Sequence, residues 1–221
     1  MFKAKRIYKS YDSSNSTNNV IVDVSLNMKS GDIVCIMGPS GSGKSTLINM
    51  FGSLLRPDKG EIYINDSNIY KDRNIYQLRR KNIGLLFQNH YLLPEFNVME
   101  NLLMPSYLLG RDEGDCKKII RSYLSNLNLE EKIFSYPHEL SGGELQRISL
   151  IRSIINNPQI VFADEPTGNL DYENSILIIN LIKELSNSLG MAFCIATHDQ
   201  NFCDIANSIY ELKKGKLLKV D

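Results

Sequence analysis

The segment Gly38–Ser45, GPSGSGKS, places glycines, a lysine and a hydroxyl at the spacing G-x-x-x-x-G-K-[ST]. A loop of this composition wraps tightly enough for its backbone N–H groups to point at phosphate oxygens. Lys44 then reaches the β and γ phosphates of a nucleotide, and Ser45 offers its hydroxyl to magnesium (Mg2+). The motif needs a buried strand before it and a helix after it. The apolar run Ile33–Met37 and the periodic segment Lys44–Leu54 fit both needs.

A second group of residues suits the same chemistry. Ile160–Glu165, IVFADE, is an apolar run ending in two acids. A strand buried on both faces delivers Asp164 and Glu165 to the carboxyl edge of a parallel sheet, where ligands of such sheets bind. Asp164 can hold the magnesium, directly or through water, and Glu165 can take a proton from an attacking water. His198 stands just past the run Ala192–Ala196, and Gln88 just past Ile83–Phe87. Ends of neighbouring strands converge, so both can meet the γ phosphate or the water, although a solvated strand end is the plainer reading of His198. Tyr11 precedes a polar stretch and can either stack on adenine or pack in the core.

HELSGGELQR, at His138–Arg147, raises a different question. Leu145, Ile148, Ile151 and Ile155 recur at helical spacing, so a helix begins close to two glycines, which are poor helix formers. Ser141 and Glu144 form a capping box, which explains them but not Gly142 and Gly143. Bare backbone at a helix N-terminus suits an anion that approaches the first-turn N–H groups. One nucleotide has little use for two phosphate sites in a small domain. The economical reading is that Ser141–Gly143 serve the ATP held by a second copy of the chain.

The elements that position these residues read as follows. Strands are expected at Lys3–Tyr8, Ile21–Met28, Ile33–Met37, Glu61–Ile64, Ile83–Phe87, Ile160–Ala163, Ala192–Ala196 and Ser208–Leu212. Helices are expected at Lys44–Leu54, Val98–Leu109, Asp115–Leu127, Glu144–Asn156 and Glu173–Leu189, the last closed by Gly190. Strands alternating with helices at both ends argue for an α/β core, which a mostly helical middle, about Gln88 to Pro137, interrupts. The run SSNSTNN at 13–19 reads as a polar loop.

Composition narrows the function classes. Lysine plus arginine equals aspartate plus glutamate at 25 each in 221 residues, so no global field draws the chain to nucleic acid or anionic lipid. Cys35, Cys116, Cys194 and Cys203 lack zinc spacing and read as free buried thiols suited to a reducing cytosol. The opening MFKAKRIYKS has no apolar core of signal-peptide length, and no apolar run approaches the ~18–20 residues that span a bilayer. The expectation is a chain that meets a membrane only through another protein.

Taken in order, GPSGSGKST, Gln88, LSGGE, ADEPTGNLD and THD resemble the ATP-binding subunits of ABC transporters across nearly the entire chain. The resemblance implies an α/β fold in one domain: a P-loop NTPase core with a mostly parallel sheet and an antiparallel β subdomain (1–87 and 158–221), and an inserted helical subdomain at 88–157. It implies a head-to-tail homodimer around two ATP–Mg sites. Gly38, Pro39, Ser40, Gly41, Ser42, Gly43, Lys44, Ser45 and Thr46 of one copy, with Ser141, Gly142, Gly143 and Glu144 of the other, then bind nucleotide. By the same resemblance Glu165 is the catalytic base, His198 senses the γ phosphate, and Asp171 makes a contact across the dimer. Gln88 reaches the metal with Ser45 and Asp164 and links nucleotide to a membrane partner, and Tyr11 stacks on adenine. PTGNLD and NHYLLPEFNVMENLLMP are similar to the branch containing LolD and the MacB-type exporters, and nearer to LolD. That implies ATP-driven release of lipoproteins, with LolC/LolE-like membrane partners at the cytoplasmic face of the inner membrane. A MacB-like exporter or an FtsE-like regulatory ATPase is the alternative. Leu145 departs from the polar residue the family commonly shows after LSGGE.

Overall fold

The computed structural model describes residues 1–13, 16–71, 74–168 and 170–220. Two sheets organise the chain. The first is a four-stranded antiparallel sheet of β1 (Phe2–Ser13), β2 (Ser16–Met28), β4 (Lys59–Ile64) and the short β5 (Ser67–Asn68), in the order β2-β1-β4-β5. The second is six-stranded and contains β3 (Ile33–Met37), β6 (Ile83–Leu86), β7 (Ile160–Asp164), β8 (Ala192–Ala196), β9 (Ser208–Lys213) and β10 (Lys216–Val220). Its order is β10-β9-β3-β8-β7-β6, parallel throughout except for the terminal hairpin of β9 and β10.

The described residues of the run at 13–19, namely 13 and 16–19, are strand rather than loop. β1 and β2 continue outward as a hairpin, pairing Ser10 with Asn19, Tyr11 with Asn18 and Asp12 with Thr17. Polar side chains on both faces hide the strand period, while backbone pairing and the bond from Thr17 Oγ1 to Asp12 Oδ1, at 2.9 Å, hold the strands together. Residues 14–15 of that run lie outside the described residues. Helix α1 spans Lys44–Phe51, shorter than expected, and is followed by α2 (Ile75–Asn82), which no apolar stripe announced because none of its residues is buried. The middle of the chain folds as α3 (Val98–Tyr107), α4 (Glu113–Asn126) and α5 (Gly142–Ile154), and α6 covers Tyr172–Leu189 with Gly190 as its cap.

The parallel sheet separates two apolar clusters. On one side, residues of the antiparallel sheet and α1 pack on Val34, Ile36, Phe162, Cys194 and Ala196. Phe2 lies edge-on to Phe51 at 5.0 Å and to Phe162 at 5.2 Å, fastening β1, α1 and β7 to one another. On the other side, α6 and the helices α3–α5 share a cluster with Val161, Ala163, Phe193 and Ile195. Every residue of β7 and β8 is buried, as strands covered on both faces must be. Among the described residues, no helix is long and apolar enough to cross a membrane.

Candidate nucleotide site

The loop between β3 and α1 is shaped by its glycines. Gly38 (φ +153) leaves no room for a side chain, since a Cβ there would stand 2.7 Å from the carbonyl oxygen of Leu212. Gly43 (φ +101) would collide with Val20 at 2.8 Å. Lys44 folds back over the loop, where its Nζ donates to the carbonyls of Gly38 at 2.7 Å and Pro39 at 3.3 Å. The resulting cleft, about 680 Å³, is lined by Gly38–Gly41, Gly43–Thr46, Gln88, Asp164, Glu165, Gly168 and His198. Ser42 does not line it, and its hydroxyl is buried without a partner among the described residues.

Strand β7 ends inside this cleft. Asp164 is 8% exposed, and burial raises its carboxyl above the usual carboxylate range, with the Ser45 hydroxyl bond and Lys44 pulling the other way. Two hard oxygen donors side by side, the exposed Ser45 hydroxyl and the buried Asp164 carboxylate, fit a magnesium ion. Glu165 follows at φ +51, its carboxylate 4.0 Å from Lys44 Nζ. Its Oε2 accepts from Thr197 Oγ1 at 3.1 Å and from the His198 backbone N–H at 3.4 Å, and lies 2.9 Å from His198 Nδ1. Thr197 and Asp199 received no role in the sequence reading. Their part arises from pairing across β7 and β8, which single-chain spacing does not display.

Ser141 caps α5 as expected: Glu144 N donates to Ser141 Oγ at 3.3 Å, and the Ser141 N–H donates to Glu144 Oε2 at 2.7 Å. Ser141, Gly142 and Gly143 do not line the cleft of their own chain. Among the described residues a Cβ on Gly142 would meet nothing within 4 Å, so their packing does not require glycine there. Asp171 caps α6 through Asn174 N at 2.8 Å, and the side chain of Asn174 accepts a bond from Arg147 of α5. Tyr11 lies outside the cleft lining, 46% exposed on the hairpin, with Lys9 Nζ 5.7 Å from its ring centre. Gln88 reaches the cleft, and the backbone beyond it is held by α5: Arg152 donates to the carbonyls of His90 at 2.5 Å and Tyr91 at 2.6 Å. Cys35 is buried beneath the loop with its thiol pushed up to about 12, an inert core thiol, whereas Cys203 is half-buried rather than buried as expected.

A family model described as ABC transporter matches residues 21–168, the stretch from β2 through the acids of β7. The chain belongs to the ABC transporter family. Curated relatives of this ABC protein include lipoprotein-releasing system ATP-binding proteins LolD. That of Idiomarina loihiensis is 37% identical, covering 99% of this chain and 97% of its own. That of Saccharophagus degradans is 38% identical with the same coverage of 99% and 97%. Among solved structures, the ATP-binding cassette MJ0796 is 34% identical in a dimeric post-hydrolysis state bound to ADP and Pi, with a TM-score of 0.92 over 98% of this chain and 96% of that one. The cassette cbiO1 of Clostridium perfringens, part of the transporter complex cbiONQ, is 26% identical with a TM-score of 0.82, over 98% of this chain and 86% of that one. The chain is thus an ATP-binding ATPase subunit of an ABC transporter, with the α/β fold of these cassettes.

Proposed function

We propose that two copies of this ATPase close head to tail around two ATP–magnesium complexes and drive a membrane protein that releases lipoproteins from the inner membrane toward the outer one. The observation that carries the pairing is the division of the site. One cleft gathers the phosphate loop, Gln88, Asp164, Glu165 and His198, while Ser141–Gly143 stand outside it with open space over Gly142. The dimeric state of the MJ0796 cassette supports the same arrangement.

In this reading Lys44 exchanges the carbonyls of Gly38 and Pro39 for phosphate oxygens. Ser45, Asp164 and Gln88 hold magnesium, which when bound neutralises charge on the phosphates. Glu165 accepts the proton of the attacking water, and the His198 imidazole turns from Glu165 to the γ phosphate. Ser141, Gly142, Gly143 and Glu144 of the second copy cover the nucleotide with the N-terminus of α5, Asp171 meets the opposite copy, and Tyr11 stacks on adenine. Residues 88–157 form the subdomain that passes closure to LolC/LolE-like partners at the cytoplasmic face of the inner membrane. The LolD names of the relatives support the cargo.

Light scattering of a Glu165→Gln variant in saturating ATP–Mg tests the pairing, and a strictly monomeric protein would overturn it. The cargo is tested with membrane vesicles holding the chain and its co-purified membrane partner. Lipoprotein release should require ATP; hydrolysis without release rejects that cargo and favours an exporter or a regulatory ATPase.

A further inference from the structure

Resting on the reading of Glu165 as proton acceptor, we propose that Thr197 is a positioning residue for hydrolysis, its hydroxyl fixing the Glu165 carboxylate in the orientation that the attacking water needs. Thr197 is fully buried at the end of β8. Its Oγ1 donates to Glu165 Oε2 at 3.1 Å and accepts from the Asp199 backbone N–H at 3.0 Å. With its proton and a lone pair both engaged, the hydroxyl cannot rotate without orphaning a buried group. Its own backbone N–H donates to the Ile36 carbonyl at 3.1 Å, so the clamp is in register with the strand that feeds the phosphate loop.

The other ligands of Oε2 hold less firmly. The His198 imidazole is 74% exposed and, in the proposed reaction, departs for the γ phosphate; the His198 N–H is distant at 3.4 Å. Among the described residues, Thr197 is then the one side chain left on that oxygen. Glu165 also occupies a left-handed backbone conformation that a non-glycine residue keeps only when its surroundings impose it. A second tie imposes it from the other end. Thr167, two residues past Glu165, donates from Oγ1 to Asp199 Oδ2 at 2.8 Å, closing a ring through Asp199 back to Thr197.

The test measures kcat, KM for ATP and ATP-driven dimerisation for Thr197→Val, Thr197→Ser and Glu165→Gln. Thr197→Val keeps the shape but loses the donor, and its kcat should fall roughly ten- to a hundred-fold, as expected for a hydrogen bond to a charged group. Its KM should stay within about twofold and its dimerisation should match wild type, because phosphate binding does not use this hydroxyl. Thr197→Ser should recover most of kcat. A Thr197→Val enzyme that keeps wild-type kcat beside an inactive Glu165→Gln enzyme overturns the clamp and leaves the base in place. Near wild-type hydrolysis by Glu165→Gln overturns the reading beneath both. A Thr197→Ser enzyme as slow as the valine variant, or a valine variant that no longer dimerises, shows a packing role instead. Should Thr197→Val not fold, Thr167→Val carries the test: kcat should drop at least about threefold at unchanged KM, and an unchanged kcat overturns the proposal.

Discussion

Asp164 and Glu165 are sequence neighbours, both largely buried, that meet different partners. Glu165 has hydroxyl and N–H donors on its carboxylate, while Asp164 is buried and raised, with Glu165 itself adding to the rise. A carboxyl whose pKa is raised on folding favours the folded chain below its unfolded pKa, and that contribution is lost as pH rises through the folded value. Above its unfolded pKa the buried Asp164 therefore opposes folding until a cation arrives. Asp164→Asn should raise the Tm of the chain alone at pH 7, with a smaller difference near pH 4, while ATP hydrolysis collapses. A lower Tm for the variant at pH 7 would contradict this. These two acids, Lys44 and Ser45 were legible from sequence because their chemistry is written into fixed local spacing. Thr197 was not, because a hydroxyl acquires its meaning only when strand pairing sets it against a carboxylate.

Helix α5 carries both a structural and a functional demand at its first turn. The capping box ties Ser141 to Glu144, and Ser141→Ala should cost about 1 kcal/mol in chemical denaturation. Gly142 behaves in the opposite way. With nothing near its missing Cβ, Gly142→Ala should leave the lone chain as stable or stabilise it by up to about 1 kcal/mol, yet impair ATP-driven pairing and hydrolysis. A variant that is stable and fully active would remove the reason for the glycine. Farther along the same helix, the Ser153 carbonyl approaches β6 so closely that a Cβ on Gly84 would stand 2.4 Å from it. Gly84→Ala should destabilise by about 1–3 kcal/mol, read from the denaturation midpoint, because backbone cannot give way there. At this scale the sequence displayed elements with a buried face and lost those without one. β7, β8 and α6 show apolar runs or a periodic stripe, whereas α2 has no buried residue and the outer hairpin of β1 and β2 is exposed, so neither shows a strong apolar pattern.

Over the whole molecule, one parallel sheet serves both apolar clusters, and the residues proposed to meet phosphate emerge along its carboxyl edge between them. The antiparallel sheet reaches β7 through Phe2 and Phe162, and the helices α3–α5 reach it through the cluster on its other face. The strand that bears Asp164 is thus packed upon from both sides. The architecture was legible as an α/β core with a helical interruption. The division into a mostly parallel and an antiparallel sheet came only with the family resemblance, because β4 and the outer parts of β1 and β2 carry few residues that distinguish one sheet from another. The cleft that excludes Ser141–Gly143 has a kinetic consequence. Under the proposed pairing each copy borrows half its site and obeys mass action in itself: with ATP in excess, the hydrolysis rate of the free subunit should climb with the square of its concentration until pairing saturates. Diluted, it idles, and joining two copies by a flexible tether should abolish that dependence. A cell would then spend no fuel on stray subunits, and turnover would begin only where a membrane scaffold keeps two of them together.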